Sequence, residues 1–372
     1  MFKLPKVCAA SALALMFSWT VQAETVTDIT GKTVEIPEKV ERIILGEGRM
    51  LYSLALLDKE NPVKRVVGWQ GELKTTDVNG YNAYLKKFPQ IKDIPLIGQT
   101  SEASVNPETV MSLNPDIAIF GIAGHGPGVT NPLVEKLQKA GVPVVFIDFR
   151  QHPMKNTIPS MKILGKVLHR EEIANKYIAF YEKHLNRIQE RVAKIPADQR
   201  PSVFIEMLPE IKSPTCCHTA GNGNLGEFIE AAGGHNIAAD ILPAVIGEIS
   251  LEHVLSVDPK VYILSGTGSN DVKVGLREGL GVNKEAAAQS LKRLANRTGV
   301  NALTAVKDGN THGIWHNFYN SPYNIIAIEA FAKWFYPELF SDVDVQETFN
   351  ELQEFLPVNI EGTYWVDLKD AK

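Results

Sequence analysis

The chain has 372 residues, of which 44% are apolar and 22% charged, and its formal net charge is −5. These are ordinary values for a folded protein of about two domains, and they exclude a disordered tail protein and a multi-span membrane protein. An acidic chain without a Lys/Arg block is also a poor match for nucleic acid, whose phosphates must be neutralised.

In chain order, residues 1–23 have the form of a secretory signal peptide. Lys3 and Lys6 make a basic start, an apolar run extends from Val7 to about Trp19, and Val21-Gln22-Ala23 places small residues at the −3 and −1 positions of a cut before Glu24. The run is too short to span a bilayer and no stop-transfer pattern follows. Cys8 lies inside this segment without a lipoprotein box, so the expected product is a free periplasmic protein cleaved after Ala23. The two other cysteines, Cys216 and Cys217, are neighbours, and a chain of this length needs no disulfide framework.

Short apolar runs then alternate with helical patterns, which predicts βαβ units and mainly parallel sheets. Strands are expected near Arg42–Leu45, Arg65–Trp69, Ile117–Gly121 and Val142–Ile147, then Ser202–Met207, Val261–Ser265 and Thr311–Trp315. Two stretches echo one another at constant offset. Residues 106–119 resemble residues 250–263, with Glu108 on Glu252, Val110 on Val254 and Pro115 on Pro259. Upstream, Ile97-Gly98-Gln99 is echoed by Ile246-Gly247-Glu248. In each copy an N-cap, Asn106 or Ser250, opens a short helix and a β-rich run follows. The echoes predict two similar Rossmann-like lobes, residues 24–170 and 196–372.

Between them, a helix over 155–169 is expected to break near Pro159. A second helix, 171–195, carries one apolar stripe of Ile173, Tyr177, Phe180, His184, Ile188 and Val192. At ~1.5 Å per residue its length is roughly 35 Å, enough for a stiff connector between lobes. Packing helices are expected over 324–336 and 345–355.

This order resembles the periplasmic substrate-binding proteins of ABC importers, in the helical-backbone class that includes iron-siderophore, haem and vitamin B12 binders. The likeness is carried by the opening strand Val40-Glu-Arg-Ile-Ile-Leu45, by Leu113-Asn-Pro-Asp-Ile-Ala-Ile119, by Leu225-Gly-Glu-Phe-Ile-Glu-Ala-Ala-Gly-Gly-His-Asn-Ile237, and by Ala305-Val-Lys-Asp-Gly-Asn310 before the last strand. Extra length relative to compact members falls around 70–93 and 269–300. The resemblance implies a monomer that binds a small iron complex, best a ferric siderophore, and delivers it to an inner-membrane permease dimer, with no catalysis, no resident cofactor and no metal site of its own. Haem, cobalamin or an oxyanion such as molybdate stay open within the class. It also implies that Glu108 and Glu252 are exposed acids that dock onto the two permease subunits, a role that charge complementarity would serve.

Ligands of α/β sheets bind beyond the carboxyl ends of the strands. The loops there offer Arg49, Trp69, His125 and Arg150 from the first lobe, and His218, Trp315, His316 and Tyr319 from the second. Two arginines suit an anion through forked, charge-assisted hydrogen bonds, and the aromatics suit walls. His125, His218, His312 and His316 show no compact zinc spacing. Gly221-Asn-Gly-Asn-Leu-Gly226 matches G-x-G-x-x-G but does not directly follow a strand, so a dinucleotide site is not expected. Outside the transport class, the rival is a periplasmic enzyme using Cys217 and His218. Against it, adjacent side chains diverge and no nucleophile signature surrounds them. A vicinal disulfide and two quiet thiols are equally compatible with the sequence.

Overall fold

A computed structural model describes residues 24–213, 216–268 and 273–371, so the expected signal peptide lies outside the described residues. A hairpin of β1 (Thr25–Thr27) and β2 (Thr33–Glu35) opens the chain. The first lobe then lays down β3 (Ile43–Leu45), α1 (Leu51–Leu57), β4 (Val66–Gln70), α2 (Leu73–Thr76), α3 (Val78–Lys87) and β5 (Leu96–Gly98). It continues with α4 (Pro107–Ser112), β6 (Ile117–Gly121), α5 (Pro132–Lys139) and β7 (Val144–Ile147). The five strands β3–β7 make an all-parallel sheet in the order β5-β4-β3-β6-β7. Ile43, Ile44 and Leu45 are wholly buried, which is why this strand reads as an unbroken apolar run: helices cover both faces.

Helices α6 (Pro153–Leu168) and α7 (Glu171–Val192) follow. The second lobe contains β8 (Ser202–Met207), β9 (His218–Ala220), α8 (Leu225–Ala231), β10 (His235–Asn236), β11 (Ile246–Glu248) and α9 (Leu251–Val257). Then come β12 (Val261–Gly266), β13 (Gly279–Leu280), α10 (Lys284–Ala295), α11 (Thr304–Lys307), β14 (Thr311–Trp315), α12 (Ile325–Phe335), α13 (Val345–Gln353), β15 (Gly362–Thr363) and β16 (Trp365–Asp367). The second sheet has the order β10-β8-β12-β14-β16 and is parallel except for β16.

The lobes are topological copies where the longer echo lies. Asn106 caps α4 by accepting from the amides of Glu108 and Thr109, Ser250 caps α9 by accepting from His253, and each helix feeds the strand beside its lobe's opening strand, β6 beside β3 and β12 beside β8. The shorter echo diverges. Ile97-Gly98 lies in β5 at the edge of the main sheet, whereas Ile246–Glu248 forms β11, paired antiparallel with β9 outside it.

The expected break at Pro159 does not occur, and α6 runs straight through it. Pro159 and Lys155 are both exposed, so the one carbonyl that loses its helical donor faces solvent. Helices α6 and α7 meet closely because position 165 is glycine; a Cβ there would lie 2.7 Å from that of Ala174. Five of the six stripe residues of α7 are buried, and Ile173 is half-buried. The helix packs on α1 and α6 on one side and on α8 and α12 on the other. A single apolar core runs from β3 and α1 through α7 to α12 and α13, with satellite cores beneath α9 and α10 in one lobe and beneath α4 and α5 in the other. Lobes that share a close-packed core resist wide hinge opening, because interiors do not deform continuously. His184, the polar residue in the stripe, is buried with Nδ1 2.9 Å from a Glu329 carboxylate oxygen and Nε2 3.2 Å from Glu351. Among the described residues no helix is long and apolar enough to cross a membrane.

Candidate functional site

The carboxyl ends of the two sheets face one another across a cavity of about 510 Å³. A tight turn after β3 delivers Arg49. Gly48 in that turn has no room for a side chain, since a Cβ would lie 2.7 Å from the Gln70 carbonyl. Arg49 is 1% exposed although it borders the cavity, and its donors are mostly committed. Nη1 donates to the Tyr319 hydroxyl at 2.6 Å and to Asn317 at 3.3 Å, Nη2 donates to Glu47 at 3.3 Å, and Nε lies 3.7 Å from Glu72. Glu72 accepts from the amides of Gly48 and Arg49, each at 2.9 Å. Glu47 accepts from the His125 amide at 3.0 Å and from Asn320 of the other lobe at 2.8 Å.

Arg150 arrives after β7 on a turn organised by Asp148. That carboxylate accepts from the amides of Arg150, Gln151 and His152 and from the Asn156 side chain. The guanidinium carbons of Arg150 and Arg49 lie 5.4 and 5.3 Å from the Tyr319 ring centroid, within cation–π range. Arg150 is less satisfied than Arg49, which lacks a hydrogen-bond partner only at Nε: the buried Nε and Nη1 of Arg150 both have none among the described residues. Buried N–H groups without acceptors are rare in native proteins and call for a missing partner.

Electrostatics follow from this packing. Burial works against the charge of Arg49, but Tyr319, Glu47 and Glu72 outweigh it and hold the guanidinium protonated. Burial would raise Glu47, yet Arg49, Arg150 and His125 pull it below the ordinary carboxylate value. Burial pushes Glu72 up to about 7, with the Glu47 charge adding to the effect and Arg49 opposing it. His125 is pushed down to about 4 by burial and by Arg49 and Arg150; its Nδ1 lies 2.7 Å from the Thr100 carbonyl. His316 falls well below its ordinary value for the same reasons, and burial with Lys212 lowers His218. The wall is thus cationic through arginine and lysine and presents neutral imidazoles.

Of the eight ligand residues expected from sequence, Arg49, His125, Arg150, His218, His316 and Tyr319 line this one cavity. Trp69 and Trp315 do not. Trp69 is 1% exposed in the first lobe's core, and Trp315 packs edge-on against Tyr52, Phe318 and Tyr364. The strand β4 runs one residue past Trp69, and His316, next after Trp315, is the residue that borders the cavity. Sequence reasoning missed Lys212, Thr76, Thr267 and the segment 244–246 of the lining, and the buried acids Glu47 and Glu72 beneath it. Glu47 had a signal, an acid between two glycines just before Arg49. Glu72 had none.

The remaining candidates separate from the cavity. His312 stacks on Trp334 and bonds Asp367. Cys216 and Cys217 form a vicinal disulfide, and Cys217 is wholly buried in a satellite core. An oxidised, buried sulfur is not the thiolate nucleophile that the enzyme reading requires. Glu108 and Glu252 are exposed in the first turns of α4 and α9, at equivalent places on the two lobes.

Two largely parallel α/β sheets thus face each other across a cavity and are braced by a long shared helix. The chain belongs to the periplasmic binding protein family, whose sequence model matches residues 61–313. Proteins of this family bind a small solute and work with the membrane components of ABC importers. It is 23% identical over 323 residues to the ABC transporter substrate-binding lipoprotein YvrC of Bacillus subtilis, covering 86% of this chain and 87% of that one. It is 27% identical over 247 residues to a cobalamin-binding protein of Halobacterium salinarum, covering 66% of this chain and 58% of the relative. In structure it is similar to the TroA-like periplasmic binding protein FepB of Veillonella parvula, with a TM-score of 0.81 at 24% identity over 92% of this chain and 99% of that one. The molybdate-binding MolA of Haemophilus influenzae shares the fold with a TM-score of 0.68 at 18% identity, over 91% and 100% of the two chains.

Proposed function

We propose that the protein, cleaved after Ala23, captures an anionic metal chelate in the periplasm, best a ferric siderophore, and passes it as a monomer to a permease dimer. The observation that carries this reading is the unmet Arg150 fork beside Arg49 and Tyr319 at the base of the cavity. Arg150 donates directly to ligand oxygens. Arg49, held by Glu47, Asn317 and Tyr319, supplies field and a fixed aromatic floor. His125, His218 and His316 are neutral polar contacts on the walls. Affinity comes from groups already in place, so little ordering cost is added on binding.

Size supports a chelate over a bare oxyanion. A four-oxygen anion occupies roughly 100 Å³, a few waters at ~30 Å³ each, and would fill a small part of the cavity. Haem, with its carboxylates and a metal that imidazole ligates, is the second reading, favoured by the three neutral imidazoles. Glu108 and Glu252 dock onto the two permease subunits, and their matched places on two similar lobes suit a twofold partner. The test is quenching of intrinsic fluorescence by ferric triscatecholate, ferric hydroxamate, haem, cyanocobalamin and molybdate. The anionic ferric complex is expected to bind most tightly. Binding of haem, cobalamin or molybdate alone would replace the siderophore reading.

A further inference from the structure

We infer that anion capture in this cleft is coupled to proton uptake by the imidazoles lining it, chiefly His125 and His316, so that the ligand enters together with protons. This deepens the proposed function and rests on it. The geometry is specific. His125 lines the cavity with Arg49 and Arg150, its amide donates to Glu47 at 3.0 Å, and its Nδ1 donates to the Thr100 carbonyl, leaving Nε2 to take a proton. His316 lines the same cavity as Arg49, Arg150, His218 and Lys212, and its Nδ1 lies 2.9 Å from the Ser265 hydroxyl, which can donate to or accept from the ring. His218 lines the cavity with Lys212 and lies opposite Glu248 across the β9–β11 pair.

The same two arginines that suit the anion therefore repel protons from the two rings. In the empty cleft that repulsion, with burial, keeps His125 neutral down to about pH 4. An anion seated on the fork cancels the arginine field at both rings and adds a negative charge beside them, so each ring holds a proton more tightly. Linkage then works in both directions: binding takes up protons between the free and bound values, and affinity rises as pH falls through that window. Glu72, near neutral pH in the empty site, shifts the same way, so the histidine share must be separated by substitution.

The experiment is calorimetric titration of the mature protein with a hexadentate ferric triscatecholate, whose three linked catecholates keep it a trianion, between pH 5.5 and 7 in buffers of different ionisation enthalpy. Wild type is expected to take up about half a proton or more per ligand beyond the H125Q/H316Q variant, and to gain about threefold in affinity per pH unit that the variant lacks. Equal proton uptake by both overturns the coupling while leaving capture intact. Absence of binding by this and every other anionic ferric complex overturns the proposed function and the coupling with it. Histidine ring resonances of the wild type, titrated with and without the diamagnetic gallium complex, read the same shift without substitution. Unchanged titration midpoints also overturn the coupling.

Discussion

The two walls of the cleft are built in opposite ways. On the first lobe's wall, Arg49, Arg150 and His125 are fixed by three buried carboxylates, Glu47, Glu72 and Asp148, each accepting two or more hydrogen bonds from the loops that carry them. On the second lobe's wall, Lys212 is exposed on a loop after β8 in which Leu208 and Glu210 adopt left-handed backbone angles. That loop is tied through Glu210 to Arg293 at the surface, where ion pairs hold weakly. The difference separates two tasks. Under the proposed function, the rigid charged fork would recognise what anionic chelates share and the second wall would accommodate their differing outlines.

Removing the organiser of the rigid wall is the severest way to break this contrast. Glu47→Ala removes the nearer of the two carboxylates beside the buried Arg49 and takes the Glu47 acceptor away from Asn320 and the His125 amide. A loss of about 3–5 kcal/mol in urea unfolding is expected, the usual effect of breaking a buried pair from one side. Next in size is Arg150→Ala. Its Nε and Nη1 have no hydrogen-bond partner among the described residues, so its melting temperature should hardly move, whereas ligand affinity should fall by a factor of about 30 or more, the cost of losing a buried charged contact. Lys212→Ala, on the adaptable wall, should change affinity about fivefold or less. Similar losses from both substitutions would show that the walls do not divide the work.

Titration sharpens the same contrast. Glu72 keeps its proton up to about pH 7 when folded and releases it at the ordinary carboxylate value when unfolded, so its burial penalises folding increasingly as pH rises through that interval and then levels off. His125 behaves oppositely. Folded, it stays neutral to about pH 4, so it penalises folding as pH falls from its ordinary value toward 4. Between roughly pH 4.5 and 6.5 the two slopes oppose one another. His125→Gln should therefore lose stability more steeply than wild type as pH rises from 5 to 6.5, by up to about 1.4 kcal/mol per pH unit, read from denaturant midpoints.

Much of this architecture was legible in the chain. Fully buried parallel strands leave unbroken apolar runs, so Ile117–Gly121, Ser202–Met207 and Thr311–Trp315 were found with their ends in place. Strand ends then pointed to Arg49, Arg150 and His316. What stayed illegible is non-local or very short. Glu72 reaches Arg49 only because β4 lies beside β3, which no local pattern reports. Strands of two or three residues such as β10, β13 and β16 carry too few positions to show a period. Trp69 and Trp315 lie within β4 and β14, whose sheets are covered on both faces, so their side chains pack into the core while the cleft is lined by residues beyond the strand ends.

The smallest expected effect concerns the flank where the walls meet. The segments 70–93 and 269–300 each carried extra length, and the structure brings them together. Asn79 donates to the Leu280 carbonyl at 2.7 Å, and the Thr267 hydroxyl and Asn317 both donate to the Thr76 carbonyl, at 2.7 and 3.2 Å. Thr76 and Thr267 also line the cavity, so this clasp closes the side of the cleft with hydrogen bonds each worth about 0.5–1.5 kcal/mol net. The shared core around α7 sets the larger resistance to opening, and the clasp adds to it. Asn79→Ala should therefore leave the global unfolding midpoint nearly unchanged and speed amide exchange at the strand pair β13 and β15 several-fold. Ligand dissociation should quicken by a similar factor. If exchange quickens and dissociation does not, the ligand leaves by another route and the clasp is structural alone.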